Sequence, residues 1–133
     1  FYGIDTPEST GEVDKWGVSA SLFTKAQINA NSEFVLESST GGAAEKDSYG
    51  TRYLGYVWYR NSSSEDWKNL NLLIVENGYS KSTIQNSPQY EYYPFFKKAE
   101  TFAKDSELHI WSEDEDPNYS DKALSANLKQ LNE

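Results

Sequence analysis

No cysteine occurs in the 133 residues, and the chain has a single histidine and two arginines. The missing thiols exclude a disulfide framework and any thiolate metal site. Long apolar runs are missing too: nothing approaches the ~18 apolar residues that a membrane-spanning helix needs. Positive charge is scarce. Twelve Lys and Arg face 21 Asp and Glu, a net charge of −9, which is the wrong sign for a chain that grips nucleic acid through a basic surface. The segment after Trp111 carries −4 of this, in Glu113, Asp114, Glu115, Asp116, Asp121 and Glu133 against Lys122 and Lys129. Residues 1–111 keep the other −5, so the acidity is shared. No secretory leader is read at the start, where Phe1-Tyr2-Gly3-Ile4 looks like the middle of a strand, and further sequence is expected upstream.

Aromatic residues, by contrast, are plentiful. They make up 15% of the chain, with ten tyrosines, which excludes disorder for the body of the chain. The length is that of one domain, and at this size a single core folds without covalent staples. Apolar residues from Trp16 to about Ala30 fall at helical spacing. Glu33 to Glu37 reads as a short strand, residues 38–48 as a mobile loop, and Arg52 to Tyr59 as an aromatic, β-branched strand. Residues 60–66 form a hairpin connection. A helix is expected from about Asn69 to Asn77 with Gly78 at its C′ position. Residues 80–91 read as a long polar loop. Pro94 opens a third helix to about Asp105, with Phe95 or Phe96, Ala99, Phe102 and Ala103 on one face. The order of elements gives an α+β domain with a small antiparallel sheet. Residues 116–133 read as an acidic C-terminal tail with helical character over 121–131, and Glu113–Asp116 as a solvated charge run.

One short segment has the residue types for chemistry. Asp5 and Glu8 flank Thr6-Pro7 just after the first strand. Pro7 fixes its own φ and pushes Thr6 towards an extended conformation, so both carboxylates sit in a stiff loop. Hard cations such as Ca²⁺ take several oxygens from carboxylates and backbone carbonyls, and a glutamate beside a metal-bound water can act as a general base. Asp-Thr-Pro-Glu is equally a good helix N-terminus, with a capping residue, Pro at N1 and an acid in the first turn. The segment alone leaves both readings open.

Five ordered stretches decide between them by resemblance. Gly3-Ile4-Asp5-Thr6-Pro7-Glu8 is one. Lys15-Trp16-Gly17 with Ala20 and Phe23-Thr24-Lys25 is the second. Asp47-Ser48-Tyr49-Gly50-Thr51-Arg52-Tyr53-Leu54-Gly55-Tyr56-Val57-Trp58 is the third. Asn71-Leu72 through Val75-Glu76-Asn77-Gly78-Tyr79 is the fourth, and Ala99-Glu100, Ala103, Leu108 and Ile110-Trp111-Ser112 the fifth. Together they resemble the staphylococcal nuclease family over residues 1–115. The resemblance implies an OB-fold-like small antiparallel β-barrel with three α-helices, its first strands lying upstream of this chain, and such barrels commonly bind nucleic acids. It implies Asp5 and the Thr6 carbonyl as Ca²⁺ ligands, with Glu8 beside the metal orienting or deprotonating the attacking water. Arg52 would neutralise phosphate charge in the transition state, and Tyr49 would contact phosphate or sugar. The implied activity is Ca²⁺-dependent hydrolysis of phosphodiester bonds in DNA or RNA.

The chain also departs from the family pattern. The family's second catalytic arginine would fall one residue before Phe1, and a second calcium aspartate further upstream. Thr51 is an extra residue before Arg52; a surface arginine on a strand is the alternative reading of Arg52. The loop after Glu8 is about three residues shorter than in the best-known members and lacks their lysines. Ser48 replaces a common lysine, and Ile84 and Asn86 stand where nucleotide-contacting tyrosines are found. Tyr90, Tyr92 and Tyr93 lie nearby and either stack on bases or pack under the loop. His109, the only histidine, is expected to pack or lie at the surface rather than react. The expected function is therefore a Ca²⁺-dependent nuclease domain, weak in these residues alone. The alternative is a catalytically impaired module that serves as a nucleic-acid- or protein-binding scaffold. The family, together with the missing cysteine, leads to the expectation of a secreted or cell-surface bacterial protein.

Overall fold

Tyr-Leu-Gly-Tyr-Val-Trp-Tyr-Arg is the strand around which the rest is assembled. In the computed structural model, which describes residues 1–11, 13–39, 45–46, 50 and 53–119, this stretch forms β4 (Tyr53–Arg60). It pairs antiparallel with β2 (Glu33–Ser38), with β3 (Glu45–Lys46) and with β5 (Lys68–Asn69). Successive strand side chains point to opposite faces, and here both faces are covered. Tyr56 packs with Val75, Ile84, Phe96 and Ala99 on one side, and Trp58 joins them. Tyr59 packs with Leu70 and Ile74 on the other, where Val57, Phe23 and Tyr79 close in. A second antiparallel pair joins β1 (Ile4–Asp5) to β6 (Lys81–Ser82).

Three helices complete the described fold: α1 (Gly17–Asn29), α2 (Leu70–Glu76) and α3 (Tyr93–Asp105). Asn69 caps α2 by accepting a hydrogen bond from the Leu72 amide at 3.1 Å, the role its short polar side chain favours. The helix ends on Gly78 at φ +78°, where an added Cβ would lie 2.4 Å from the Leu108 carbonyl oxygen, so only glycine fits. Pro94 sits in the first turn of α3, where its missing N–H costs nothing. A short 3₁₀ turn over His109–Trp111 brings the chain back. Three helices with antiparallel sheets make an α+β domain, consistent with an OB-like architecture. Among the described residues no helix is long and apolar enough to cross a membrane.

Asn71 fastens these parts together. It is fully buried, its Oδ1 accepts from the Val57 amide at 3.0 Å, and its Nδ2 donates to the carbonyls of Tyr2 at 2.8 Å and Gly55 at 3.0 Å. One amide thereby links α2, β4 and the segment that leads into β1.

Several expectations need correction. Residues 45–46, read as part of a mobile loop, add to the edge of β4 as β3. Residues 81–82, read as polar loop, form β6. Two-residue strands carry no periodicity that sequence could display. In α3 the buried residues are Phe96, Ala99 and Ala103, whereas Phe95 and Phe102 are exposed. Asp116 is not a solvated member of the acidic run: it is 3% exposed, while Glu113, Asp114 and Glu115 face water.

Candidate functional site

The Asp5–Glu8 loop is held by main-chain bonds and leaves its acids outward. Gly3, at φ +78°, accepts a hydrogen bond at its carbonyl from the Thr83 amide at 2.8 Å, and an added Cβ would strike Ile84 at 2.5 Å. The Asp5 amide donates to Oγ of Ser80, which is fully buried, at 2.8 Å. Asp5 stands directly opposite Lys81 in the β1–β6 pair, a placement that commonly yields a cross-strand ion pair. Instead, the Lys81 ammonium lies 5.7 Å over the Trp111 ring. Among the described residues no cation pairs with the Asp5 or Glu8 carboxylate, and both residues are exposed.

Beyond Pro7 the chain is gripped by the entry to α1. The Glu8 amide donates to Asp14 Oδ2 at 3.2 Å, and the Asp14 amide donates back to the Glu8 carbonyl at 2.9 Å. The Gly17 amide donates to the Asp14 carbonyl at 3.0 Å. Gly17 lies so close to this turn that a Cβ on it would sit 1.8 Å from the Glu8 carbonyl oxygen. The helix can therefore abut the loop only because residue 17 lacks a side chain. Trp16 enters α1 in the left-handed region at φ +71°, which costs a non-glycine residue ~1–2 kcal/mol. Its indole is buried and meets the His109 ring edge-on at 5.0 Å. His109 in turn stacks on Tyr79 at 4.1 Å and bonds the Asn77 carbonyl through Nδ1 at 2.6 Å. The only histidine thus packs, as expected. A groove beside the loop is lined by Thr6, Pro7, Ser9, Ser21 and Lys25, but not by Asp5 or Glu8.

The fit to a hard cation is good in kind and partial in number. Asp5, the Thr6 carbonyl and Glu8 are all oxygen donors, which Ca²⁺ prefers, but Ca²⁺ takes about 6–8 of them. Among the described residues no group of three or more His, Cys, Asp or Glu side chains gathers to hold a metal. Water, substrate oxygens or other donors would have to complete the shell.

Of the remaining candidates, Tyr49 and Arg52 lie outside the described residues, as does Ser48. Tyr92 and Tyr90 are half-buried against the core. The Tyr92 phenol donates to Glu37 Oε1 at 2.7 Å and its ring meets Tyr56 edge-on at 4.9 Å. Glu37 also accepts from Trp58 Nε1 at 3.0 Å. Burial and the hydrogen bond to Glu37 hold the Tyr92 phenol well above its ordinary value. Tyr90 leans against Tyr2 at 6.1 Å, and the Tyr2 phenol is pushed up first by burial and then by Tyr90. The residues that sequence reasoning missed are the anchors: Ser80, Asp14 and Asn71. None belongs to an apolar period, and each is an ordinary loop or helix polar residue until its partner is known.

The fold is an α+β domain in which this acid-bearing loop is fixed through its main chain. The family described as Staphylococcal nuclease homologue matches residues 1–113, and the chain belongs to that family. Among its relatives is the SPbeta prophage-derived endonuclease YokF of Bacillus subtilis (strain 168), 32% identical over 112 residues. The match covers 82% of this chain and 34% of that protein, so the chain spans about a third of the relative's length.

Proposed function

We propose that this domain hydrolyses phosphodiester bonds of DNA or RNA with Ca²⁺ as cofactor. The observation that carries the reading is the Asp5–Glu8 loop: in a chain of the staphylococcal nuclease family, its main chain is fixed by Ser80 and Asp14 while both carboxylates stay exposed. Bound at Asp5, the Thr6 carbonyl and Glu8, Ca²⁺ would supply Lewis-acid activation of the phosphate and of water. Glu8 takes the proton of the attacking water as general base, or orients that water. Arg52, placed by the sequence match alone, offers a planar fork to the phosphate oxygens as charge builds on them. Tyr49 contacts phosphate or sugar.

Cleavage of a single-stranded DNA substrate should require Ca²⁺ and stop on addition of EGTA. Glu8→Gln and Arg52→Ala should each lower the rate at least ~100-fold, as expected for an acid–base group and a charge-stabilising group. A protein that binds the oligonucleotide but shows no Ca²⁺-dependent cleavage would be a binding scaffold, and the enzymatic reading would fail.

A further inference from the structure

Asp116 lies far along the chain from the Asp5–Glu8 loop, yet it holds the start of the helix on which that loop rests. Its Oδ2 accepts from the Trp16 amide at 2.6 Å, and its Oδ1 accepts from Ser19 Oγ at 2.6 Å and from the Asn118 amide at 2.9 Å. Asn118 Nδ2 donates to Ser19 Oγ at 2.9 Å and closes the cluster. The carboxylate is 3% exposed. Burial of a charge demands such partners, and here every described partner is a donor. No residue at the start of α1 caps it: Trp16 occupies the cap position in a left-handed conformation without a side-chain bond. Asp116 supplies that cap from 100 residues away.

We infer that Asp116 is a positioning residue for Glu8, acting through the first turn of α1. The inference rests on the proposed role of Glu8. The path is short and continuous. Asp116 fixes the Trp16 amide and Ser19. The next residue, Gly17, abuts the Glu8 carbonyl, and its amide bonds the Asp14 carbonyl. Asp14 exchanges two bonds with the Glu8 main chain. Release of Asp116 frees Trp16 from a conformation it does not favour. The turn at Gly17 then shifts, and the contact that seats Glu8 is lost, while the β2–β4 ladder is untouched.

The test compares Asp116→Ala and Asp116→Asn in the protein as it is encoded, by amide hydrogen exchange. In Asp116→Ala the protection of the Asp14 and Gly17 amides should fall about tenfold relative to the Val57 amide, a local opening rather than a global one. Asp116→Asn keeps one acceptor oxygen but turns an NH2 group towards donors, so it should also lose protection, by a smaller factor of about threefold. If Asp116→Ala does not fold, the smaller loss in Asp116→Asn decides. Unchanged Asp14 and Gly17 protection, or a fall shared equally by Val57, would overturn the inference. Kinetics supply the second arm. Asp116→Ala should lower kcat with little change in KM, and it should have no further effect in a Glu8→Gln background, the non-additivity expected of groups acting through one another. Equal losses in both backgrounds would mean a structural role only. If the unmutated protein shows no Ca²⁺-dependent cleavage, the nuclease reading fails by itself, and the exchange data still decide whether Asp116 seats the loop.

Discussion

Tyr56 shows how the environment of a single residue sets a property of the whole fold. It is 2% exposed, and its phenol is pushed up to about 12, first by burial and then by the charges of Glu37 and Glu91 and by Tyr90. A tyrosine free in the unfolded chain titrates near 10. Below that value both states hold the proton, and the contribution of Tyr56 to stability is complete. Between about 10 and 12 the unfolded state sheds its proton while the folded state keeps it, so stability falls as pH rises. At ~1.4 kcal/mol per unit of separation, the loss from this residue is roughly 2–3 kcal/mol by the upper end. Tyr59 and Tyr79, also raised by burial, act in the same direction. Tyr56→Phe removes the ionisable group and should move the midpoint of alkaline unfolding to higher pH, read by circular dichroism alongside tyrosinate absorbance. An unchanged midpoint would show that Tyr56 does not govern this transition. At the same scale, Asp5 and Glu8 became candidates through the resemblance of the ordered stretches, because their local segment reads equally well as a helix start. Ser80 and Asp116 could not be picked out, because their bonds span 75 and 100 residues and a polar side chain gives no sign of a distant partner.

Elements were legible where a period repeats. α1 and α3 run for 13 residues each, and β4 for eight, long enough for spacing to declare them. β1 and β6, at two residues each, have no period, yet their pairing is what places Asp5. Most of the fold was therefore readable, and about half of the loop's support was not. The joint between elements is carried by Asn71, whose amide has partners on three segments. Asn71→Leu keeps most of the volume but strands the Val57 amide and the Tyr2 carbonyl in the interior. Each unsatisfied buried group costs ~1–3 kcal/mol, so the substitution should destabilise the domain by about 3 kcal/mol. Urea unfolding should show a lower midpoint with an unchanged slope, the signature of lost stability without a change in exposed surface. A loss below about 1 kcal/mol would mean that water or a backbone shift satisfies the stranded groups.

At the scale of the whole molecule, charge is the dominant constraint. A net charge of −9 repels a polyanion, and several of the described cations are engaged by acids or aromatic rings. Arg60 is paired with Glu33 and lies 4.1 Å over the Trp67 ring. Lys81 and Lys104 cover Trp111, and Lys68 lies over Tyr59. A bound Ca²⁺ between Asp5 and Glu8 would reverse the local sign where the phosphate must approach, so substrate capture should depend on the metal more than on a basic groove. Few released counterions follow from few phosphate contacts. For single strands the slope of log affinity against log salt is about −0.7 per neutralised phosphate, so two or three contacts give a slope no steeper than about −2. The Glu8→Gln variant, which should bind without cutting, permits this measurement with an oligonucleotide at fixed Ca²⁺. A slope of about −4 or steeper would require about six or more phosphate contacts. It would show that a basic surface grips the substrate and sink the view that the domain holds it chiefly through the metal.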